Sequence, residues 1–293
     1  MKAFPELSYA NLAQPRLKRW FIRSIEEMSG RDRFARLYDH WRRDVVPTRA
    51  DIFTRMLDLI DVGLDVKGAW PPPDLPDAPL VIVANHPFGI GDGIAVLSLA
   101  ERLGRPFKVL INAELLKISE MEDYSLAIDF SETKEALKNN MDVRHEALRL
   151  LKQGTTIVVF PGGGVATATK ALGKAEDLPW KMFPARLIQE ARANVIPIHF
   201  CGQNGRLFHI VSQPMLNADV KTKAGRALFQ LSLTLRTSLL IREFARLSGR
   251  RIEARIGRLI RWDELEPIRD RKALTRHLFD AVFAMAGRSK VSA

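Results

Sequence analysis

A histidine and an aspartate separated by five residues, His86 and Asp92, stand in a stretch suited to bringing them together. The apolar run Val81-Ile82-Val83-Ala84 leads into Asn85 and His86, and Pro87-Phe88-Gly89-Ile90-Gly91-Asp92-Gly93 follows. An apolar strand ending in a polar turn is a place where a rigid sheet holds reactive side chains. Gly89, Gly91 and Gly93 let the backbone fold back, so that the carboxylate can approach the imidazole. A carboxylate on one ring nitrogen fixes the tautomer and leaves the other nitrogen as a base. Such a pair takes a proton from an alcohol as its oxygen attacks an acyl carbonyl, and no separate protein nucleophile is required. Taken alone, the same residues also fit a helix-capping aspartate and a polar turn histidine.

A second turn has related properties. Ile157-Val158-Val159-Phe160 runs into Pro161-Gly162-Gly163-Gly164. Glycines after a strand expose backbone N–H groups, which bind a phosphate or line an acyl-transfer site. The turn lacks a complete G-x-G-x-x-G, and Lys170 is too far on for a phosphate-binding G-x-x-x-x-G-K-[ST]. No G-x-S-x-G occurs, which disfavours a serine hydrolase. The histidines His40, His145, His199, His209 and His277 show no metal-ligand spacing, so no metal is expected. His199 and His209 fall on expected strands and read as structural.

These turns need a sheet to carry them. Apolar, β-rich runs occur at 80–84, 107–111, 155–160, 195–200 and 207–211. Helical patterns at 92–103 and 142–152 separate several of them, ending at Gly104 and Gly154. The expectation is an α/β fold, a central mixed sheet flanked by helices, with an N-terminal helical region. Leu17, Trp20, Phe21, Ile25 and Met28 form one amphipathic stripe ending at Gly30. Phe34, Leu37, Tyr38 and Trp41 form a second, and Ile52, Phe53, Met56, Leu57 and Ile60 a third. The Pro-rich stretch 69–77 suggests a division into an N-terminal region, 1–79, and an α/β domain, 80–293. A long helix is expected over 224–247 and a strand over 251–256.

The net charge of +11 is unevenly placed. Residues 221–293 carry 17 basic and 7 acidic side chains, while 1–80 carry 13 and 12. A basic C-terminal part suits an anionic membrane surface. Nucleic acid is disfavoured, because aromatics are sparse among those arginines. The lone Cys201 forms no internal disulfide, consistent with a reducing compartment. No run approaches the ~20 apolar residues of a spanning helix, and none in the opening residues is of signal-peptide type. The expected location is cytoplasmic, peripheral on the inner membrane face.

The nine residues from Asn85 to Gly93 resemble the first block of the glycerolipid acyltransferase superfamily, PlsC-like enzymes whose usual form is His-x4-Asp. The five-residue spacing here is similar to a bacterial branch of hemolysin-like and lyso-ornithine-lipid acyltransferases. Ile157 to Val165 resembles the Phe-Pro-x-Gly block. Val195-Ile196-Pro197-Ile198-His199-Phe200, with 202–208 after it, resembles the last one. The chain departs from the family at two points. Glycines at 162 and 164 stand where a glutamate is usual, and the second block's arginine has no clean counterpart near 126–130 or at Arg144. The resemblance implies transfer of an acyl group from acyl-CoA or acyl-acyl carrier protein to a lyso-lipid hydroxyl, with no bound cofactor. His86 would be the base and Asp92 its orienter. Asn85, Gly89, Phe160, Pro161, Gly162, Gly163 and Gly164 would line the substrate site. The alternative is a non-catalytic relative that binds anionic lipid.

Overall fold

The apolar run 80–84 lies at the centre of a sheet buried on both faces, which is why it contains no polar residue. The computed structural model describes residues 7, 19, 22–24, 27, 30–112, 118–128, 134–170 and 173–287. The N-terminal stripe of Leu17, Trp20, Phe21, Ile25 and Met28 lies outside them.

In chain order the elements begin with α1 (Arg31–His40), continued by a π-helical turn (Trp41–Val45), then α2 (Ile52–Leu59) and β1 (Val62–Lys67). Next come β2 (Leu80–Ala84), α3 (Ile90–Glu101), β3 (Phe107–Asn112), β4 (Ser125–Ile128), α4 (Lys134–Lys152) and β5 (Thr156–Val159). A short hairpin, β6 (Thr167–Ala168) and β7 (Ala175–Glu176), precedes α5 (Phe183–Ala191) and β8 (Asn194–Cys201). The chain closes with α6 (Arg206–Asn217), α7 (Lys223–Ala245), β9 (Arg250–Ile256) and α8 (Arg271–Phe283).

Among the described residues the main sheet has seven strands, ordered β1-β9-β8-β2-β5-β3-β4. From β8 to β4 every neighbouring pair is parallel. β9 runs antiparallel to β8, and β1 parallel to β9. The mixed sheet flanked by helices is as expected, and the helices of the N-terminal stripes over 34–41 and 52–60 are present. Alternate residues of β2 serve opposite faces. Leu80, Ile82 and Ala84 pack with Trp41, Phe53 and Leu99 on one side. Val81 and Val83 pack with Leu151, Leu187 and Leu278 on the other. Full burial of such a side chain contributes ~1.5–3 kcal/mol, so the double-sided core dominates stability.

Besides β4, β6 and β7, for which no strand was expected, two elements depart from the sequence reading. Residues 207–211 form part of helix α6, not a strand. Phe208, His209 and Ser212 are buried at helical spacing, and Phe208 packs with Val165 and Leu239 in a small separate core. Packing against α7 outweighs the local β preference of Leu-Phe-His-Ile-Val. His209 is therefore a helix residue, while His199 does lie on β8. The second departure is β1, which the sequence reading did not anticipate. It lies inside the region read as helical and joins the main sheet.

Candidate active site

Because β2, β5 and β8 are parallel, their C-terminal ends share one edge of the sheet. His86 follows β2 by two residues and Phe160 follows β5 by one. The two turns singled out in the sequence therefore lie side by side. The ring of Phe160 stacks on the imidazole of His86, centroids 4.2 Å apart and planes 29° apart.

Asp92 reaches His86 through the turn between β2 and α3. Gly89 has φ 82° and ψ −99°, a conformation open to glycine and costly for other residues. The reversal puts Asp92 in the first turn of α3, where the helix dipole favours a carboxylate. Asp92 Oδ1 lies 3.0 Å from His86 Nδ1. The contact has hydrogen-bond distance with a bent donor angle. Asp92 Oδ2 accepts a 2.8 Å bond from the Phe88 N–H. Asp92 is completely buried, whereas the His86 side chain is 17% exposed. With Nδ1 turned to the carboxylate, Nε2 is the ring nitrogen left to meet a substrate. Burial works to lower the His86 pKa, but the charge and hydrogen bond of Asp92, with the charge of Asp177, raise it above 6.5 overall.

Asn85 lies beneath this pair. Its Nδ2 donates to the Phe200 carbonyl (2.9 Å) and its Oδ1 accepts from the Phe200 N–H (2.7 Å). The side chain is 4% exposed and clamps the end of β2 to β8. Both polar atoms of the Asn85 side chain are thereby engaged by Phe200. The glycine turn packs against the segment that returns from the β6–β7 hairpin. A Cβ on Gly162 would lie 3.1 Å from the Leu178 carbonyl oxygen, and one on Gly164 3.0 Å from Leu178 Cδ1. Gly163 has φ 67°. Pro161 accepts a 2.9 Å bond from the Lys181 N–H.

Two residues that the sequence did not reveal complete the arrangement. Asp177 Oδ1 accepts from the His86 backbone N–H at 3.1 Å, and its Oδ2 accepts from Trp180 Nε1 at 2.9 Å. Burial, opposed by those two bonds and by the nearby His86, raises the Asp177 pKa. The only local signal was Asp-x-x-Trp, and nothing in it points to a histidine 91 positions away. Arg236, on α7 and 5% exposed, donates to the Val165 carbonyl and to Thr167 Oγ1 at 2.7 Å. Its guanidinium also lies over the Phe208 ring, 5.0 Å from the centroid. An arginine within the leucine-rich run 228–241 was its only sequence sign.

A His–Asp contact at the C-terminal edge of a helix-flanked mixed sheet, with a glycine turn beside it, marks the candidate site of this α/β domain. Residues 69–200 match the protein-family model described as Acyltransferase. The chain is 28% identical over 165 residues to a lyso-glycine lipid O-acyltransferase of Bacteroides thetaiotaomicron, covering 54% of this chain and 56% of that protein. It is 22% identical over 160 residues to a lyso-glycine lipid O-acyltransferase of Phocaeicola vulgatus, covering 54% of each. The chain spans about half the length of the curated relatives it matches. Among solved structures it resembles the 1-acyl-sn-glycerophosphate acyltransferase PlsC of Thermotoga maritima. The TM-score there is 0.50 and the identity 16%, over 94% of this chain and 95% of that one, a likeness of fold. Both named relatives act on lyso-glycine lipid, where the sequence resemblance pointed to a lyso-ornithine branch.

Proposed function

We propose that this protein transfers a fatty acyl group from an acyl thioester, acyl-CoA or acyl-acyl carrier protein, to a hydroxyl of a lyso-lipid. The observation that carries the reading is the 3.0 Å approach of Asp92 to His86 Nδ1, inside the segment that matches the acyltransferase family. His86 Nε2 takes the proton of the acceptor hydroxyl as that oxygen attacks the thioester carbonyl. The tetrahedral intermediate expels the thiolate, which takes the proton back from the imidazolium. The products are an ester and a free thiol. The buried Asp92 carboxylate orients the ring and stabilises its charged form. The names of the relatives favour an amino-acid lipid with one free hydroxyl as acceptor.

The test is to supply labelled acyl-CoA and acyl-acyl carrier protein with lyso-glycine lipid, lyso-ornithine lipid and lysophosphatidic acid, and to weigh the products. A new ester formed by the wild type and lost in His86→Ala is expected. No ester from any donor–acceptor pair, or full turnover by a folded His86→Ala protein, rejects the proposal.

A further inference from the structure

The helical hairpin of α6 and α7 buries polar side chains beside apolar ones and leaves several leucines exposed. Of the six buried residues of α7, four are polar: Ser232, Arg236, Ser238 and Glu243. Two of them tie α7 to α6, Ser232 donating to Val211 O and Glu243 accepting from the Gly205 N–H at 2.6 Å, and Arg236 holds Val165 and Thr167. Leu228 (46% exposed) and Leu231 (55%), three positions apart, share one exposed side of α7, Leu233 (37%) is exposed on another, and α6 adds Leu207 and Ile210. Of nine large apolar side chains exposed among the described residues, seven lie between positions 207 and 233. Single exposed leucines are ordinary, but a cluster of this kind marks an interaction surface.

We infer that the α6–α7 hairpin docks onto an anionic lipid bilayer, with its outward leucines in the interface. Charge selects this occupant. Residues 206–233 carry Arg206, Lys221, Lys223 and Arg226 against the single acid Asp219. Leucines flanked by basic residues suit an interface where apolar insertion and anionic head groups act together. Position agrees with it. α6 starts five residues after β8, at the edge that carries His86. A Cβ on Gly89 would lie 3.2 Å from Leu240 on α7, and Arg236 grips the turn after Phe160. An amphiphilic acceptor leaving the membrane at this hairpin would emerge beside the base. That last point rests on the proposed function, whereas the docking does not.

The test is flotation of the full chain with vesicles of phosphatidylcholine alone or with a third phosphatidylglycerol. Three proteins are compared: wild type, Leu228→Ser/Leu231→Ser/Leu233→Ser, and a control, Met141→Ser/Met182→Ser, which removes the other two exposed apolar side chains. Wild type and control should float with anionic vesicles and far less with neutral ones. The triple variant, folded by circular dichroism, should bind at least about tenfold more weakly. Wild-type binding should fall as salt rises from about 0.05 to about 0.5 M. A triple variant that floats like wild type overturns the inference, as does equal binding to neutral vesicles at high salt. So does a wild type that ignores vesicles and is a dimer that the triple variant makes monomeric. Turnover of a dispersed short-chain lyso-lipid is measured in parallel. Vesicle binding without any turnover would leave the docking standing while the acyl-transfer reading fell.

Discussion

Asp92 divides its two carboxylate oxygens between the two ends of one turn: Oδ1 faces His86 Nδ1 at 3.0 Å, and Oδ2 takes the Phe88 N–H at 2.8 Å. The residue proposed to orient the base therefore also bonds the backbone two residues after it. Asp92→Asn replaces an acceptor with an amide that stabilises the imidazolium poorly, and His86→Gln removes the base altogether. Loss of general-base catalysis costs about 10²–10⁴-fold in rate. His86→Gln is expected at the severe end of that range, with KM little changed. The check is kcat and KM for the best donor–acceptor pair, with thermal melting to confirm folding. Wild-type kcat in either variant would exclude the assigned role.

The pH dependence follows from the raised His86 pKa. The base works only when neutral, so kcat/KM should rise with pH along a limb centred above 6.5, the ordinary value. A limb at or below 6.5 would contradict the balance in which Asp92 and Asp177 outweigh burial. The same shift bears on stability. A histidine whose pKa is raised on folding stabilises the native state fully below its unfolded pKa, and that contribution fades as pH rises through the folded value. Urea midpoints of wild type and His86→Gln, taken at about pH 5 and about pH 9, should show the wild type losing more of its advantage at the higher pH.

Asp177 can be tested by separating its charge from its hydrogen bond. Asp177→Asn keeps an oxygen for the His86 N–H but removes a charge that raises the His86 pKa. Its acid limb should move to lower pH with kcat nearly kept. Asp177→Ala also removes the grip on the backbone, and kcat should fall about tenfold or more, since small misplacements of a reacting group are costly. If both variants match wild type in limb and rate, Asp177 positions nothing.

Arg236 predicts the opposite displacement. Its charge lowers the His86 pKa, so Arg236→Met should move the limb to higher pH. It also strips the Val165 carbonyl and the Thr167 hydroxyl of a buried donor. The two groups keep their mutual 3.1 Å bond, Thr167 Oγ1 to Val165 O, so the cost is that of lost bonds to a charged donor, about 1.5–3 kcal/mol, which a denaturation midpoint will register. Arg236→Lys restores charge without the two-pronged geometry and should rescue the limb better than the stability.

The glycine turn separates backbone from side-chain crowding. A methyl on Gly162 meets the Leu178 carbonyl at 3.1 Å, whereas one on Gly164 meets only the tip of the Leu178 side chain at 3.0 Å. Gly162→Ala should destabilise by about 1–3 kcal/mol, the usual cost of overpacking, and Gly164→Ala by less. Equal melting temperatures would show that the 177–178 segment yields freely.

The parts legible in the sequence were those whose cause is local. His86 and Asp92 lie within one turn, and the central strands are apolar because both faces are covered. The strands at 195–200 and 251–256 and the long helix α7 also followed from simple patterns. What escaped depends on contacts between distant segments. Asp177 acts only because the β6–β7 hairpin returns it to β2. Arg236 faces inward because its partners, Val165 and Thr167, lie about 70 positions earlier in the chain. Residues 207–211 have strand-like composition, yet buried Phe208 and Ser212, four apart, reveal the helix that packing selects. β1 escaped because Gly63, Asp65 and Lys67 break its apolar run, although Val62, Leu64 and Val66 alternate toward the core.

The peptide groups of His86 are held on both sides: its carbonyl accepts from the Ala166 N–H at 2.7 Å, and its N–H donates to Asp177. The two partners bracket the β6–β7 hairpin, so this strap is tied to the backbone of His86 at each end. Its amide proton can then exchange with solvent only when the strap lifts. That single proton serves as a clock for strap opening, readable by hydrogen–deuterium exchange. Acceleration of this one amide, with the Phe200 amide bonded to Asn85 staying slow, would time the strap separately from the sheet beneath it.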